Sequence, residues 1–243
     1  MLIPTGIAPA SAEVVAPGEE IHAGSTRVLF QIALTLLLRR ARLFHLHAAA
    51  VVRPDGAAIL IAGSSGAGKT TTALALLEAG VEYLGDDAIF LHPSADPGQI
   101  AHAVAFPRAF HLGPATLSAF PRLLPLAGPA PARTDKRPVD PRVAFPDRHR
   151  PEIPLSRGRT IAVFPSISGG KTTEISAISK AEAFGHLLAE SAALIVEGMP
   201  FRDENLAILR ALVDAASPVE IRLGEDALTA PRAAVAPRLL NFL

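Results

Sequence analysis

Short apolar runs separated by turn residues dominate the middle of the sequence and predict β-strands. The runs at 44–52 (FHLHAAAVV) and 57–63 (AAILIAG) flank the turn sequence RPDG, so we expect two strands joined by a tight turn. Residues 81–91 (VEYLGDDAIFL) and 100–107 (IAHAVAFP) predict two more strands. The segment between the second and third strands predicts a helix that ends at Gly80.

Three further segments show helical periodicity. The first has Ser25 or Thr26 in position to cap it and closes with three arginines, which favour the negative end of a helix. The second opens with a capping-box pattern at 179–182 and is expected to run to about Ala193. The third lies near 203–216.

The second half of the chain has a more mixed pattern. Residues 160–167 (TIAVFPSI) and 172–179 (TTEISAIS) predict paired strands around a turn at 168–170, and 218–223 (PVEIRL) predicts a strand followed by a tail. In contrast, 113–158 holds 10 of the 22 prolines and predicts a long irregular excursion over the surface. Loops of this length are usually lids, binding loops or disordered segments.

The order of these elements predicts an α/β fold in one domain. We divide that domain, residues 1–243, into an N-terminal extension and helix at 1–43, a core at 44–112, the Pro-rich loop at 113–158 and the C-terminal part of the core at 159–243.

Composition excludes some classes of partner and indicates the cellular compartment. The 23 basic and 23 acidic residues cancel, so no overall charge attracts the protein to nucleic acid or to an anionic membrane. The longest apolar run, at 28–38, is too short to span a bilayer. No cysteine is present, which agrees with a reducing compartment. We therefore expect a cytoplasmic protein without a nucleic-acid or membrane partner.

A glycine-rich sequence, GSSGAGKT, lies between a predicted strand and a predicted helix. It satisfies the pattern GxxxxGK[ST] of a phosphate-binding loop (P-loop), in which glycines let backbone N–H groups surround phosphate oxygens. The positive end of the following helix adds to this attraction. Lys69 is expected to reach the outer phosphates, and the Thr70 hydroxyl to bind magnesium. The predicted nucleotide contacts are Gly63, Ser64, Ser65, Gly66, Ala67, Gly68, Lys69, Thr70 and Thr71.

Asp86 and Asp87 interrupt an apolar, strand-like run, where an unpaired buried carboxylate is costly. A nucleotide site explains one carboxylate as a magnesium ligand, and phosphoryl transfer to a hydroxyl explains the other as a general base. Alternation along a strand would let the two face different groups. The residues alone leave open a kinase and a nucleotide-binding module or ATPase. The lack of an NKxD sequence argues against a GTPase switch.

The stretch GSSGAGKTTTALALLEAGVEYLGDDAIF at 63–90 resembles the HPr kinase family and its shorter HPr-kinase-like relatives. Their P-loop, helix and Asp-Asp pair follow one another at the same spacing. His47 matches a histidine of the family, and AFPRAFHL at 105–112 resembles a segment of the short relatives. The similarity is close over 44–112 and holds in outline over 135–223. It implies a mixed-sheet fold of the phosphoenolpyruvate carboxykinase and HPr kinase type.

The resemblance also implies an ATP- and magnesium-dependent kinase that phosphorylates a serine hydroxyl. Under it, Asp86 is the general base and Asp87 binds magnesium together with Thr70. His47 then lies near the transferred phosphate, so the catalytic candidates are Asp86, His47 and Lys69. ATP and Mg²⁺ are the implied cofactors.

The acceptor is expected to be a serine of a peptide or protein. Some short relatives phosphorylate ribosomally made peptides such as lasso-peptide precursors, so a precursor peptide and an HPr-like protein are both candidates, with a small-molecule hydroxyl as an alternative. Arg108 carries over as a phosphate or acceptor contact.

Residues 1–43 are too few for the additional N-terminal domain of HPr kinases, and Thr71 replaces a usual acidic residue. The family's Arg-containing phosphorylase signature has no counterpart. Relatives are often oligomers, which leaves a homo-oligomer open.

Three other signals are weaker. SGGKT at 168–172 resembles a second P-loop, but Pro165 occupies the position of the first glycine, so we expect a hairpin turn there. His45 and His47 would share one strand face, but a zinc site needs further ligands nearby. The basic pair Lys136-Arg137 is left open as a contact to phosphates or to an acidic peptide.

Overall fold

A six-stranded mixed sheet forms the centre of the protein in a computed structural model. The model describes residues 33–96, 98–106, 108–132, 134–191 and 200–242. The predicted α/β class with a mixed sheet is confirmed.

The described strands and helices follow in chain order. The strands are β1 (Phe44–Leu46), β2 (Ala48–Val52), β3 (Ala58–Ala62), β4 (Glu82–Gly85), β5 (Ile89–Pro93), β6 (Gln99–Ala105), β7 (Phe110–Leu112), β8 (Arg137–Val139), β9 (Glu152–Ser156), β10 (Thr160–Ile167), β11 (Glu174–Ala177) and β12 (Ser217–Leu223). The helices are α1 (33–40), α2 (Lys69–Glu78), α3 (Pro114–Ala119), α4 (Pro141–Ala144), α5 (Lys180–Glu190), α6 (Arg202–Ala215), α7 (Asp226–Thr229) and α8 (Pro231–Leu240), with a 3-10 helix at Pro121–Leu126.

The central sheet brings the ends of several strands to one edge. Its order is β11-β12-β10-β3-β2-β4, in which β3, β10 and β12 run parallel and β2 is antiparallel to both of its neighbours. The carboxyl ends of β3, β4, β10 and β12 and the start of β2 therefore lie at the same edge. In open α/β sheets, ligands bind outside the carboxyl ends of the parallel strands.

Alternating side chains of the central sheet fill two separate cores. On β3, Ile59 and Ile61 face a core shared with α2 and α8, whereas Leu60 and Ala62 face a core shared with α5, α6 and a second sheet. This second sheet has the order β1-β5-β6-β9. Because β3 is covered on both faces, its sequence is apolar throughout, as in buried parallel strands.

Two segments predicted as single strands are each divided between the two sheets. Residues 44–52 break at His47, so that β1 joins the second sheet and β2 joins the central one. Residues 81–91 break at 86–88, with β4 in the central sheet and β5 in the second. We call these two crossings, His47 and residues 86–88, the sheet junction. The predicted hairpin of β2 and β3 is confirmed, with antiparallel pairing.

The prediction of an irregular surface loop at 113–158 is wrong. The segment contains α3, a 3-10 helix, β8, α4 and β9, and β9 pairs with β6 at the edge of the second sheet. Leu117, Phe120, Leu123 and Phe145 are buried in the same core cluster as the buried residues of α2. Three of the ten prolines, Pro114, Pro121 and Pro141, start helices, where their missing N–H is not needed.

Other predicted boundaries also need correction. The predicted pairing of 160–167 with 172–179 is wrong, because β12 lies between β10 and β11. The predicted tail contains α7 and α8, and α8 packs against α2 in the core.

The helix predictions are confirmed where the structure describes them. Gly80 follows α2 with φ +103, the left-handed conformation expected of a residue after a helix. The capping box at Ser179 and Glu182 is present, and α5 ends at Glu190, before the predicted Ala193. The proposed caps Ser25 and Thr26 lie outside the described residues. Among the helices that the structure describes, none has the length and apolar character needed to cross a membrane.

Candidate active site

The P-loop connects the end of β3 to the start of α2 at the common edge of the central sheet. Gly68 precedes the helix with φ +105, a left-handed conformation that favours glycine, and a Cβ atom there would also press against the tip of the Leu223 side chain. Lys69 curls back over the loop, and its Nζ donates to the carbonyl oxygens of Gly63 at 2.7 Å and Ser64 at 3.1 Å. Burial lowers the pKa of Lys69.

The first turn of α2 is suited to an anion. No side chain caps this helix end, and no acidic residue occupies its first turn. The first N–H groups of a helix have no partner inside the helix, and they carry its partial positive charge. P-loop residues 63–67 also form one wall of a cavity of about 510 Å³. The remaining lining residues are Ala62, Phe164, Pro165, Ser166, Ile167, His186, Glu190 and Glu220.

Asp86 faces the P-loop from the end of β4. Its Oδ2 accepts a hydrogen bond from the Thr70 hydroxyl at 2.8 Å, and the residue is 6% exposed. Its second oxygen, Oδ1, is buried and has no hydrogen-bond partner among the described residues. Burial raises the pKa of Asp86 to about 6, and the charge of Asp87 adds to this effect. A cation between Thr70 and Asp86 would satisfy the buried oxygen and lower this pKa.

Asp87 points away from Asp86 because the chain turns sharply between them. Asp87 has φ 65, a left-handed conformation that Asp adopts more readily than most residues, and Ala88 N–H donates to the Asp86 carbonyl at 2.8 Å. The Asp87 side chain is 47% exposed, and its Oδ1 lies 3.5 Å from His47 Nε2. The interaction with His47 lowers the pKa of Asp87. The two carboxylates therefore face different groups, but through a turn and not through strand alternation.

His47 stands at the other half of the sheet junction. Its Nδ1 lies 2.7 Å from Glu190 Oε2, and its backbone N–H donates to the Glu190 carbonyl at 3.0 Å. The pKa of His47 is raised, first by Asp87 and then by Glu190, against the opposing effects of burial and of Lys69. Sequence reasoning missed Glu190, which belongs to no motif and lies 143 residues from His47.

Close packing holds the junction in place. Gly85, the last residue of β4, would overlap Ala105 of β6 if it carried a Cβ atom. The absence of a side chain lets the end of the central sheet approach the second sheet at Asp86. The Gly85-Asp86-Asp87 sequence therefore places the two carboxylates at the point where the two sheets approach each other closely.

The remaining predicted residues differ in their relation to the site. Arg108 is exposed, and its charge adds to the effect of His47 in lowering the pKa of Asp87. Thr71 is buried within α2. Lys136 is exposed, and its charge adds to burial in lowering the pKa of Lys69, whereas Arg137 donates to the carbonyls of Gly128, at 2.8 Å, and Ala127. Of the basic pair, Lys136 therefore influences a P-loop side chain, whereas Arg137 bonds the backbone at 127–128.

The weaker signals are explained by the fold. His45 lies on β1, and its ring makes an edge contact with Phe90 at 5.5 Å between centroids. Burial and the charge of His47 lower the pKa of His45.

The predicted hairpin at 168–172 is wrong. Ser168 N–H donates to the Leu223 carbonyl, and Thr173 bonds Asp226.

Comparisons with known proteins identify no close relative. No family model matches this sequence, and no curated protein matches it. Among solved structures, the chain is similar to the HPr(Ser) kinase/phosphatase from Coxiella burnetii, with 11% sequence identity, 81% of this chain and 94% of that chain covered, and a TM-score of 0.40. A TM-score below 0.5 does not establish a shared fold. A functional assignment therefore has to come from the site itself.

Proposed function

We propose that this protein is an ATP- and magnesium-dependent kinase that transfers the γ-phosphoryl group to the hydroxyl of a serine in a peptide or protein. The observation that carries the proposal is the division of the Asp pair. Asp86 bonds the Thr70 hydroxyl of the P-loop, and Asp87 lies beside His47. An attacking hydroxyl must give up its proton, and a carboxylate beside an imidazole is able to take it. Because such a group would activate water equally well, the choice of a serine hydroxyl over water rests on the family resemblance and is decided by the assay below.

The donor side of the reaction uses the P-loop. Backbone N–H groups at the start of α2 would bind phosphate oxygens, and the glycines leave room for their approach. The Lys69 ammonium, now bonded to two loop carbonyls, would turn to the outer phosphates, where it meets a stronger acceptor. ATP would thus be held with its terminal phosphate toward Asp86 and Asp87.

Thr70 and Asp86 form a suitable pair of magnesium ligands. A hydroxyl and a carboxylate are the oxygen donors that magnesium prefers, and the partnerless Asp86 Oδ1 gives the ion a further acceptor. When bound, magnesium neutralises the charge that develops on the phosphate oxygens. Phosphate oxygens and water would complete its coordination.

The same geometry favours Asp87 as the general base, the reverse of the roles that the family resemblance implies. Asp87 is half-exposed, so an incoming hydroxyl can reach it, whereas Asp86 is buried against Thr70. The lowered pKa of Asp87 keeps the carboxylate ionised at neutral pH, so it can accept a hydrogen bond from the incoming hydroxyl. His47 Nε2 stands on the same side, and in the protonated ring, which the raised pKa of His47 favours, its N–H would stabilise either the carboxylate or the transferred phosphate.

In the proposed step, the serine hydroxyl gives its proton to Asp87 while its oxygen forms a bond to the γ-phosphorus. The bond from that phosphorus to the β,γ-bridging oxygen breaks, and the electron pair leaves with ADP. Asp87 then releases the proton to solvent, which its exposure allows. The choice of a peptide or protein serine, such as that of an HPr-like protein or a ribosomally made precursor peptide, rests on the family resemblance.

The test is a transfer assay with γ-labelled ATP and magnesium. The acceptors would be serine-containing peptides, an HPr-like protein and free serine, and matched acceptors with alanine in place of serine would serve as controls. We expect label on a serine acceptor that disappears when EDTA removes magnesium. Release of free phosphate without any labelled acceptor would instead identify an ATPase. Label on free serine alone would replace the macromolecular acceptor with a small molecule.

A further inference from the structure

Glu190 is the residue at this site that neither a motif nor the family resemblance assigns. It is the last residue of α5, and only 12% of its side chain is exposed. Its carboxylate contacts His47 Nδ1 at 2.7 Å, and its carbonyl oxygen accepts the His47 backbone N–H at 3.0 Å. A single residue therefore holds both the main chain and the ring of His47.

We propose that Glu190 is a positioning residue, which orients the His47 ring so that Nε2 faces Asp87. This inference rests on the proposed function, because it describes how the acceptor side of that site is held. Glu190 does not itself reach Asp87; it acts through His47.

The chemistry of the contact determines which ring nitrogen carries the proton. An ionised carboxylate only accepts hydrogen bonds, so the ring must donate its Nδ1–H to Glu190 Oε2. In a protonated ring, Nε2–H then points to Asp87 Oδ1, 3.5 Å away. In a neutral ring, the remaining proton stays on Nδ1, because Glu190 at 2.7 Å is the nearer acceptor. A ring flip would place a C–H group against the carboxylate and lose the 2.7 Å bond. Setting the tautomer through the second nitrogen is a common way to orient histidine.

The position of His47 in the chain makes this support necessary. His47 lies between β1 and β2, where the chain passes from one sheet to the other. Its N–H bonds the end of α5 and not a neighbouring strand. The orientation of the ring is therefore fixed by a helix distant in sequence. Functional side chains need such support to stay within reach of their productive geometry.

The kinetic test compares Glu190→Ala and Glu190→Gln with the wild type. We expect Glu190→Ala to lower kcat by about 10–100-fold, the usual cost of removing a group that orients a functional histidine. The KM for ATP should change less than kcat, because Lys69 and the P-loop bind the phosphates, whereas Glu190 only lines the cavity beside them. Glu190→Gln keeps an acceptor oxygen at the same length and should recover most of the lost kcat. Recovery by Gln distinguishes positioning from a need for the negative charge.

Glu182→Ala is the matched control on the same helix. Glu182 closes the capping box at the start of α5 and has no contact with His47. Its removal should lower the melting temperature and leave kcat unchanged. An equal loss of kcat in Glu182→Ala and Glu190→Ala would mean that α5 stability alone is responsible, and it would overturn the inference.

Imidazole ¹⁵N spectra provide a readout that does not depend on activity. With ¹⁵N-labelled histidine, and His47→Gln to assign the signals, the neutral His47 ring of the wild type should carry its proton on Nδ1. In Glu190→Ala the proton should move mainly to Nε2. A wild-type ring protonated on Nε2, or an unchanged tautomer in Glu190→Ala, would overturn the inference. Should the wild type transfer no phosphate, the proposed function fails, and the spectra still decide the role of Glu190.

Discussion

The P-loop and the sheet junction lie side by side at the same edge of the central sheet, but they are built in different ways. The P-loop is continuous in sequence, and Lys69 makes its hydrogen bonds within the loop, to Gly63 and Ser64. The sheet junction brings His47 beside Asp87, and Glu190 of α5 contacts His47, so these three residues come from three separate segments. One half of the site is therefore local, and the other half exists only in the folded chain.

This difference separates binding from chemistry. In the proposed mechanism the P-loop holds the phosphates, whereas the junction supplies the base and the histidine beside it. Thr70 and Asp86 connect the two halves through a single hydrogen bond of 2.8 Å. Substitutions in the P-loop should therefore change nucleotide affinity, and substitutions in the junction should change the rate of transfer.

The largest effect is expected from Asp87→Asn, which removes the proposed base. Because an amide cannot accept the hydroxyl proton, kcat should fall by about 10²–10⁴-fold, the usual contribution of general base catalysis. Asn tolerates the left-handed conformation at this position, so the fold should be retained. Steady-state kinetics with labelled ATP would measure the change, and the KM for ATP should stay within about 3-fold of the wild type. Wild-type kcat in this variant would exclude Asp87 as the base.

Lys69→Ala should have the next largest effect, on affinity and not on rate alone. Losing charge-assisted hydrogen bonds to phosphate should weaken nucleotide binding by roughly 10–100-fold. Isothermal titration with magnesium and ATP would measure it. Lys180→Ala is the control, because Lys180 is an exposed lysine on α5 that contacts Asp214 and no P-loop residue. Equal affinity of Lys69→Ala and wild type would contradict the P-loop assignment.

Asp86→Asn should stabilise the metal-free protein at high pH. The raised pKa of Asp86, about 6 against an ordinary 3.8, means that the folded state binds this proton more tightly than the unfolded state. Its contribution to stability is therefore complete below about pH 4 and is lost as the pH rises through 6. We expect the variant to exceed the wild type by roughly 1–3 kcal/mol in free energy of unfolding at pH 8.

Urea denaturation at several pH values, in EDTA, would measure this difference. The excess stability of Asp86→Asn should shrink toward zero near pH 4, where both chains carry a neutral group. Magnesium should no longer change the stability of this variant. A difference that is constant with pH would show that Asp86 is not held in a destabilised, ionised state.

Lys136→Ala should have the smallest effect. Lys136 is exposed, so its attraction for phosphate is screened by solvent and by salt. We expect the KM for ATP to rise by no more than about 5-fold, and less at high ionic strength. Kinetics at two salt concentrations would measure this. Arg122→Ala is a useful comparison, since Arg122 pairs with Glu78 away from the P-loop and should leave KM unchanged.

The accuracy of the sequence predictions followed the range of the interactions involved. The capping box of Ser179 and Glu182 and the hairpin of β2 and β3 depend on neighbouring residues, and both were predicted correctly. The segments 44–52 and 81–91 were predicted as single strands because their apolar character continues across the breaks. Only the second sheet, formed with β6 and β9, supplies the reason for each chain to change direction.

The Pro-rich segment shows the same limit. Proline content at 113–158 favoured a surface loop, but prolines also begin helices, and Leu117, Phe120 and Phe145 are buried in the core that includes α2. Their spacing carries no clear period, because short helices and turns place them in the core one at a time. The apolar residues of 113–158 can be assigned to the core only when the helices and strands that they pack against are known.

The sequence by itself determined the α/β class, the glycine-rich loop between a strand and a helix, and the presence of two carboxylates after the next strand, because each depends on residues close together in the chain. Tertiary structure alone decided which carboxylate meets Thr70, which meets His47, and that Glu190 holds the histidine. Those contacts join segments brought together by sheet order and by the turn at Asp87. A one-dimensional pattern specifies local conformation, but the partners of a side chain at a sheet edge depend on how distant strands are arranged.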